Sequence, residues 1–211
     1  MLLTTNPGDK SWWLSDAQEL ADEFPYTFHK PSPEAIALLQ VGDGVKLIFR
    51  FESNDPEAPN AERMWVEITG TSESEFEGTL DNDPLHITDI SSGDPIHFDA
   101  RHIIQVSIVD PVAAKTDQFL PRCFVTSKVL YDGVKIGYLY RETPDNEEDS
   151  GWRILAGDET DDYMNDADNL HFVSLGAVLR EDDRILALLK APAGSSFEWH
   201  EAQQAFVAIE N

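Results

Sequence analysis

Residues 140–163 read YRETPDNEEDSGWRILAGDETDDY, a run of carboxylates set against two arginines, Arg141 and Arg153. A run this acidic repels itself, and by composition alone it belongs to a disordered tail. Trp152, Ile154, Leu155 and Tyr163 interrupt it with apolar surface that requires burial. Both demands are met only if the acids lie on the outside of a folded domain, so the run predicts an ordered acidic surface. The sequence offers no comparable cluster of nucleophiles, bases or metal ligands, and the pattern points to binding in preference to catalysis.

The same sign dominates the whole chain: 40 acidic residues against 15 basic ones give a formal net charge of -25. Such a surface disfavours nucleic acid and anionic lipid as partners and steers basic partners inward from a distance. It also serves solubility alone, and charge by itself does not separate the two roles. Cys123 is the single cysteine, so no intramolecular disulfide forms and a reducing compartment is expected. Within the apolar run Cys123-Phe124-Val125 it reads as a small buried hydrophobe rather than a nucleophile. The opening MLLTTNPGDKSWW lacks the basic start and sustained apolar core of a signal peptide. No apolar stretch reaches the roughly 20 residues of a membrane-spanning helix. A cytoplasmic protein is expected, with neither membrane nor nucleic acid among its partners.

At 211 residues the chain is long enough for one large domain or two small ones. Ser15-Asp16-Ala17-Gln18 predicts a capping box opening a short helix that Pro25 ends, and Ser32-Pro33-Glu34 predicts a second helix start, stopped by Gly42-Asp43-Gly44. Strand-forming stretches follow at 45–52, 64–68, 76–80, 95–98 and 102–109, with a loop over 54–60. In the second half, 122–131 and 134–141 flank Asp132-Gly133, the signal for a tight hairpin. Further strands are expected at 151–156, 170–173, 197–200 and 205–209. Short helices are expected at 158–165 and over Ile185, Leu186, Leu188 and Leu189, the latter capped by Asp182 or Asp183. Strands and helices do not alternate, which predicts an α+β protein of two small domains. Each is a mainly antiparallel sheet with a few short helices, over 1–110 and 120–211, joined by a linker at 111–119.

The acids invite chemical readings that their spacing does not support. Asp145, Glu147 and Asp149 alternate as in a calcium-binding EF-hand loop, but Ser150 and Ala156 stand where that loop needs glycine and glutamate. Starting from Asp158, Tyr163 falls on the glycine position. Paired carboxylates also suit a glycoside hydrolase, yet so acidic a chain offers such pairs by chance. His86, His97 and His102 fall in one strand-rich region without a metalloprotease helix motif or cysteine partners, which favours structural roles. No serine sits in a nucleophile elbow. No catalytic residue, metal site or cofactor is therefore assigned. Trp12-Trp13 reads as a lid on the core or as an exposed patch, with burial favoured, and Trp152 as an anchor beneath the acidic loop or as a binding hot spot.

Over 120–201 the chain resembles the bacterial immunity protein 33 family, earlier catalogued as domain of unknown function 2185. The resemblance rests on Tyr140-Arg141-Glu142, Pro144-Asp145-Asn146-Glu147, Asp149-Ser150-Gly151-Trp152, Gly157-Asp158-Glu159 and Gly194-Ser195-Ser196-Phe197. Over 25–108, through ERMWVEI, EGTLDNDP and GDPIHF, it is similar in less detail to domain of unknown function 2314. The first resemblance implies a cytoplasmic antitoxin of the kind found in polymorphic-toxin loci. Together with the acidic run, it leads to the expectation of a non-enzymatic immunity protein that binds and occludes a cognate, basic toxin. The expected partner-binding residues are Arg141, Glu142, Asp145, Glu147, Glu148, Asp149, Trp152, Asp158, Glu159 and Tyr163. A carboxylate-based hydrolase, with or without a metal, and a housekeeping adaptor are the alternatives.

Overall fold

Asp16 opens the first helix: its carboxylate accepts from the backbone N–H of Gln18 at 2.8 Å and of Glu19 at 3.4 Å, and α1 follows over Ala17–Glu23. Ser15, expected as the cap, is buried instead, its N–H donating to Ile48 O and its hydroxyl accepting from Arg50 Nε. The neighbouring aspartate is the better acceptor because it is charged and faces the positive end of the helix. Ser32 caps α2 (Pro33–Ala37) as its spacing predicts, accepting from Ala35 N–H at 3.0 Å. The computed structural model describes residues 10–53 and 59–209. Expectations for 1–9 and for 54–58 of the predicted loop lie outside the described residues.

The chain divides into two compact units, Met1–Ala114 and Lys115–Asn211. In the first, β1 (Trp12–Leu14), β2 (Gly44–Phe51), β3 (Ala61–Ser72), β4 (Glu75–Leu80) and β5 (Pro95–Asp99) form an antiparallel sheet in that order. The sixth strand, β6 (Ile103–Val106), also pairs with β2. Val45, Leu47 and Phe49 alternate along β2 into the main core with Met64, Val66, Ile68 and Phe98, as the two-residue period requires. Ile48, out of phase with them, packs with Ala17 of α1 and Ile104 on the opposite face. The adjacent tryptophans are split by the same alternation. Trp12 lies 5.1 Å from the Phe49 ring, Trp13 is exposed, and the pair forms an edge strand rather than a lid. The strand expected over 102–109 starts late because His102 Nδ1 accepts from Asp99 N–H, closing a 3-10 helix over Ala100–His102.

The second unit is built on β7 (Arg122–Thr126), β8 (Tyr138–Arg141), β9 (Asp149–Leu155), β10 (Leu170–Ser174), β11 (Ser196–His200) and β12 (Ala205–Ala208). Their order is β10-β7-β9-β8-β11-β12, and only the β7–β9 pair is parallel. The fold is α+β, with two antiparallel-rich sheets and few short helices. Asp132-Gly133 does not join paired strands. The chain leaves β7 into α3 (Ser127–Leu130), and the N–H groups of Tyr131 and Asp132 turn back to Ser127 O, with Gly133 at φ 71°. Helix ends and hairpins both need positive φ, so the dipeptide alone does not choose between them.

Residues 161–164 form α4 (Asp161–Met164), capped by Thr160. A helix not expected from sequence, α5 (Leu175–Glu181), starts where Ser174 Oγ accepts from Ala177 N–H, and buries Leu175, Val178 and Leu179 against β7 and β10. A short apolar run such as Leu-Gly-Ala-Val-Leu fits helix or strand equally by periodicity. Asp182 caps the segment Asp183–Lys190, which is a 3-10 helix. Part of the expected linker is structured as well: Lys115–Phe119 is a 3-10 helix with Thr116 buried. Among the described residues no helix is long and apolar enough to cross a membrane.

Candidate functional site

Along β9 the two-residue alternation decides what each part of the acidic run does. Trp152 and Ile154 point into the core with at most 1% exposure. Arg153 faces the other way, its guanidinium 4.9 Å from the Phe124 ring on the neighbouring strand. Trp152 therefore anchors the loop from below, its side chain 0% exposed and so no part of the solvent-facing acidic surface.

Arg153 organises the first cluster. Its Nη1 and Nη2 donate to Asp149 Oδ1 and Oδ2, both at 3.0 Å, and its Nε donates to Glu142 Oε2 at 2.9 Å. Asp145 stands 3.5 Å from Nη2. Asp149 also accepts from the N–H groups of Gly151 at 2.8 Å and Asp145 at 3.0 Å. The Arg153 guanidinium and these two N–H groups overcome the opposing effect of burial and lower the Asp149 pKa from 3.8 to about 2. Only 1% of the Asp149 side chain is exposed, so it is a structural brace. Glu142, Asp145 and Glu148 keep 53%, 76% and 72% of their side chains in solvent; Glu148 lies 3.7 Å from Arg122. Glu147 is exposed and makes no ion pair among the described residues.

Gly151 holds this loop against β8. Its φ is 81°, and a Cβ there would stand 2.3 Å from Glu142 O. Arg141 ties down the other side, donating from Nε to Ser150 O at 3.0 Å and from Nη1 to Ala191 O at 2.6 Å. Its backbone N–H donates to Ser195 O, and its carbonyl accepts from Gly194 N–H. The motifs Tyr140-Arg141-Glu142, Asp149-Ser150-Gly151-Trp152 and Gly194-Ser195-Ser196-Phe197, far apart in sequence, are thus one interlocked structure.

Asp158, Glu159 and Tyr163 belong to a second cluster. Asp158 pairs with Lys128 Nζ at 2.8 Å and keeps 71% of its side chain exposed. The Lys128 ammonium holds its carboxyl below the ordinary value. Glu159 accepts from the Thr126 hydroxyl at 2.7 Å and from the N–H groups of Ala156 and Gly157, both at 2.8 Å. Burial raises the Glu159 pKa, but these donors outweigh it and the net shift is downward. The Tyr163 hydroxyl accepts from Lys128 N–H at 3.2 Å, and its ring lies 5.2 Å from Lys128 Nζ. Asp149 and Leu155 are the two ends of β9. At about 3.3 Å rise per residue its ends are about 20 Å apart, so the ten expected contact residues form two groups, not one patch.

Other expectations resolve here. Cys123 is buried, which together with the nearby Asp149 charge pushes its thiol up to about 12, whereas Arg153 acts the opposite way. His86 stacks on Phe51, and His97 pairs with Glu77 at 3.7 Å. Among the described residues no three His, Cys, Asp or Glu side chains converge as a metal site. Arg122, Thr126 and Lys128, the partners of Glu148, Glu159 and Asp158, carried no signal in sequence because they lie on β7 and α3, far from the acidic run along the chain.

The Immunity protein Imm33 domain matches residues 123–210 and so covers the sheet of the second unit from Cys123 onward. The family described as uncharacterized protein conserved in bacteria (DUF2314) matches residues 11–150, beyond the expected 25–108 at both ends. The two matches overlap over 123–150, from β7 through the acidic loop into β9. No curated protein and no solved structure matches the chain. With more than half of its length in the second match, the chain belongs to the DUF2314 family of uncharacterised bacterial proteins and carries at its C-terminal end a segment that matches the Imm33 domain.

Proposed function

We propose that the protein is a non-enzymatic immunity protein that binds a cognate bacterial toxin in the cytoplasm and neutralises it by occlusion. The observation that carries this reading is the Imm33 match over 123–210. The geometry supports a division of labour within the acidic run. Asp149, Glu159 and Trp152 hold the loop in shape, whereas Asp145, Glu147, Glu148 and Asp158 present their charge to solvent. In a chain of net charge -25 these exposed acids draw in a basic toxin surface, raising the encounter rate more than the final affinity.

A hydrolase reading is less well supported, because a general acid needs a raised pKa and the held carboxylates here are lowered. Co-expression with the toxin encoded beside its gene tests the proposal. Growth is restored and the two proteins co-purify if it holds; a folded protein that gives neither rescue nor complex overturns it.

A further inference from the structure

On the helix-bearing face of the second sheet lies a cleft of about 870 Å³, walled in part by Phe119, Arg141, Trp152, Leu186 and Lys190. Pockets of this size enclose a small ligand or a side chain with its neighbours. Trp152 is fully buried in its wall, and its Nε1–H has no acceptor among the described residues. An indole N–H can only donate, and burying it unpaired carries a desolvation cost that an incoming acceptor removes.

The charge beside it is equally unmatched. The Arg141 guanidinium lies 5.7 Å from the centroid of the Trp152 ring, fixed by the carbonyls of Ser150 and Ala191. Among the described residues it forms no ion pair with a carboxylate, unlike Arg153 and Arg184. Lys190, exposed at the end of its 3-10 helix, has no ion pair there either. Where 40 acids face 15 bases, two cations without carboxylates beside an unpaired donor suit an anion from outside the chain. Leu186, 39% exposed, and Phe119 add apolar wall. Asp149 also borders the cleft, but Arg153 already neutralises it. Glu147 and Asp183 complete the acidic part of the lining and disfavour a polyacidic ligand.

We infer that this cleft binds an acidic peptide segment through a single carboxylate next to an aliphatic side chain. Arg141 and Lys190 hold the carboxylate, Trp152 Nε1–H donates to it, and Leu186 and Phe119 cover the aliphatic group. The proposal goes beyond the toxin reading, and its test contains no toxin, so failure of either leaves the other standing.

The test titrates full-length ¹⁵N-labelled protein at about 0.15 M salt, where far charges are screened. The probes are N-acetyl-Leu-Glu-N-methylamide and its Leu-Gln isostere, and the readout is the Trp152 indole N–H resonance. The expected result is a saturable shift with the glutamate probe and about tenfold weaker binding of the glutamine probe. Arg141→Gln and, independently, the surface change Lys190→Gln weaken the glutamate titration while the other indole resonances keep their positions. An immobile Trp152 resonance, equal binding of both probes, or full affinity in a folded Lys190→Gln protein overturns the inference.

Discussion

At Asp149 a carboxylate with 1% of its side chain exposed meets Arg153 through two bonds of 3.0 Å, and this geometry determines how the residue responds to substitution and pH. Removing one partner of a buried pair leaves the other uncompensated, so Asp149→Asn is expected to cost about 3 kcal/mol in urea unfolding. Glu147→Gln, which removes an exposed acid without an ion pair, should change stability by less than about 0.5 kcal/mol. Because the folded pKa of Asp149 is depressed from 3.8 to about 2, its contribution is complete above the ordinary value. That contribution is lost as pH falls through about 2, and acid titrations of wild type and Asp149→Asn should converge over this window. Cys123, buried and with its thiol pushed up to about 12, should resist iodoacetamide at pH near 8 until the protein is unfolded. Rapid alkylation of the native protein would contradict its placement. The sequence placed all these acids in one run, but the bracing of Glu159 depends on Thr126, a residue at the end of β7 and far from it in sequence.

Among the elements, short local signals were legible where one physical cause acts. Ser32 with Pro33 marked a helix start, and the strand-forming residues over 45–52 marked β2. They misled where two structures share one local requirement, as at Asp132-Gly133, or where an apolar run is too short to show a period, as in α5. Two of the positive-φ glycines of the second unit, Gly133 and Gly151, make this distinction measurable. Gly133 has no neighbour within 4 Å, so Gly133→Ala meets only backbone strain and should cost about 1 kcal/mol. At Gly151 the same strain is joined by a Cβ placed 2.3 Å from Glu142 O, and Gly151→Ala should cost at least about 2 kcal/mol. Equal losses in thermal unfolding would mean that the β8–β9 contact is not as close as described.

For the whole molecule, each compact unit has its own sheet and buried residues, which makes a fragment spanning 115–211 the natural test of autonomy. It should unfold cooperatively in urea, as followed by the fluorescence of Trp152 and Trp199; a fragment without a transition would show that the second core depends on the first unit. The DUF2314 match nevertheless runs through the division at Ala114 and ends inside β9, where the Imm33 match has already begun. Both family matches include part of the acidic run, and the structure separates that run into braces and exposed charge. The most direct test is the association rate of the protein with its cognate toxin, measured for wild type and for the combined variant Asp145→Asn, Glu147→Gln, Glu148→Gln and Asp158→Asn. All four acids are solvent-facing, so the variant should fold. At low salt its association rate should fall about tenfold and its salt dependence should flatten. An unchanged rate and salt slope in the folded variant would contradict acid-steered toxin capture.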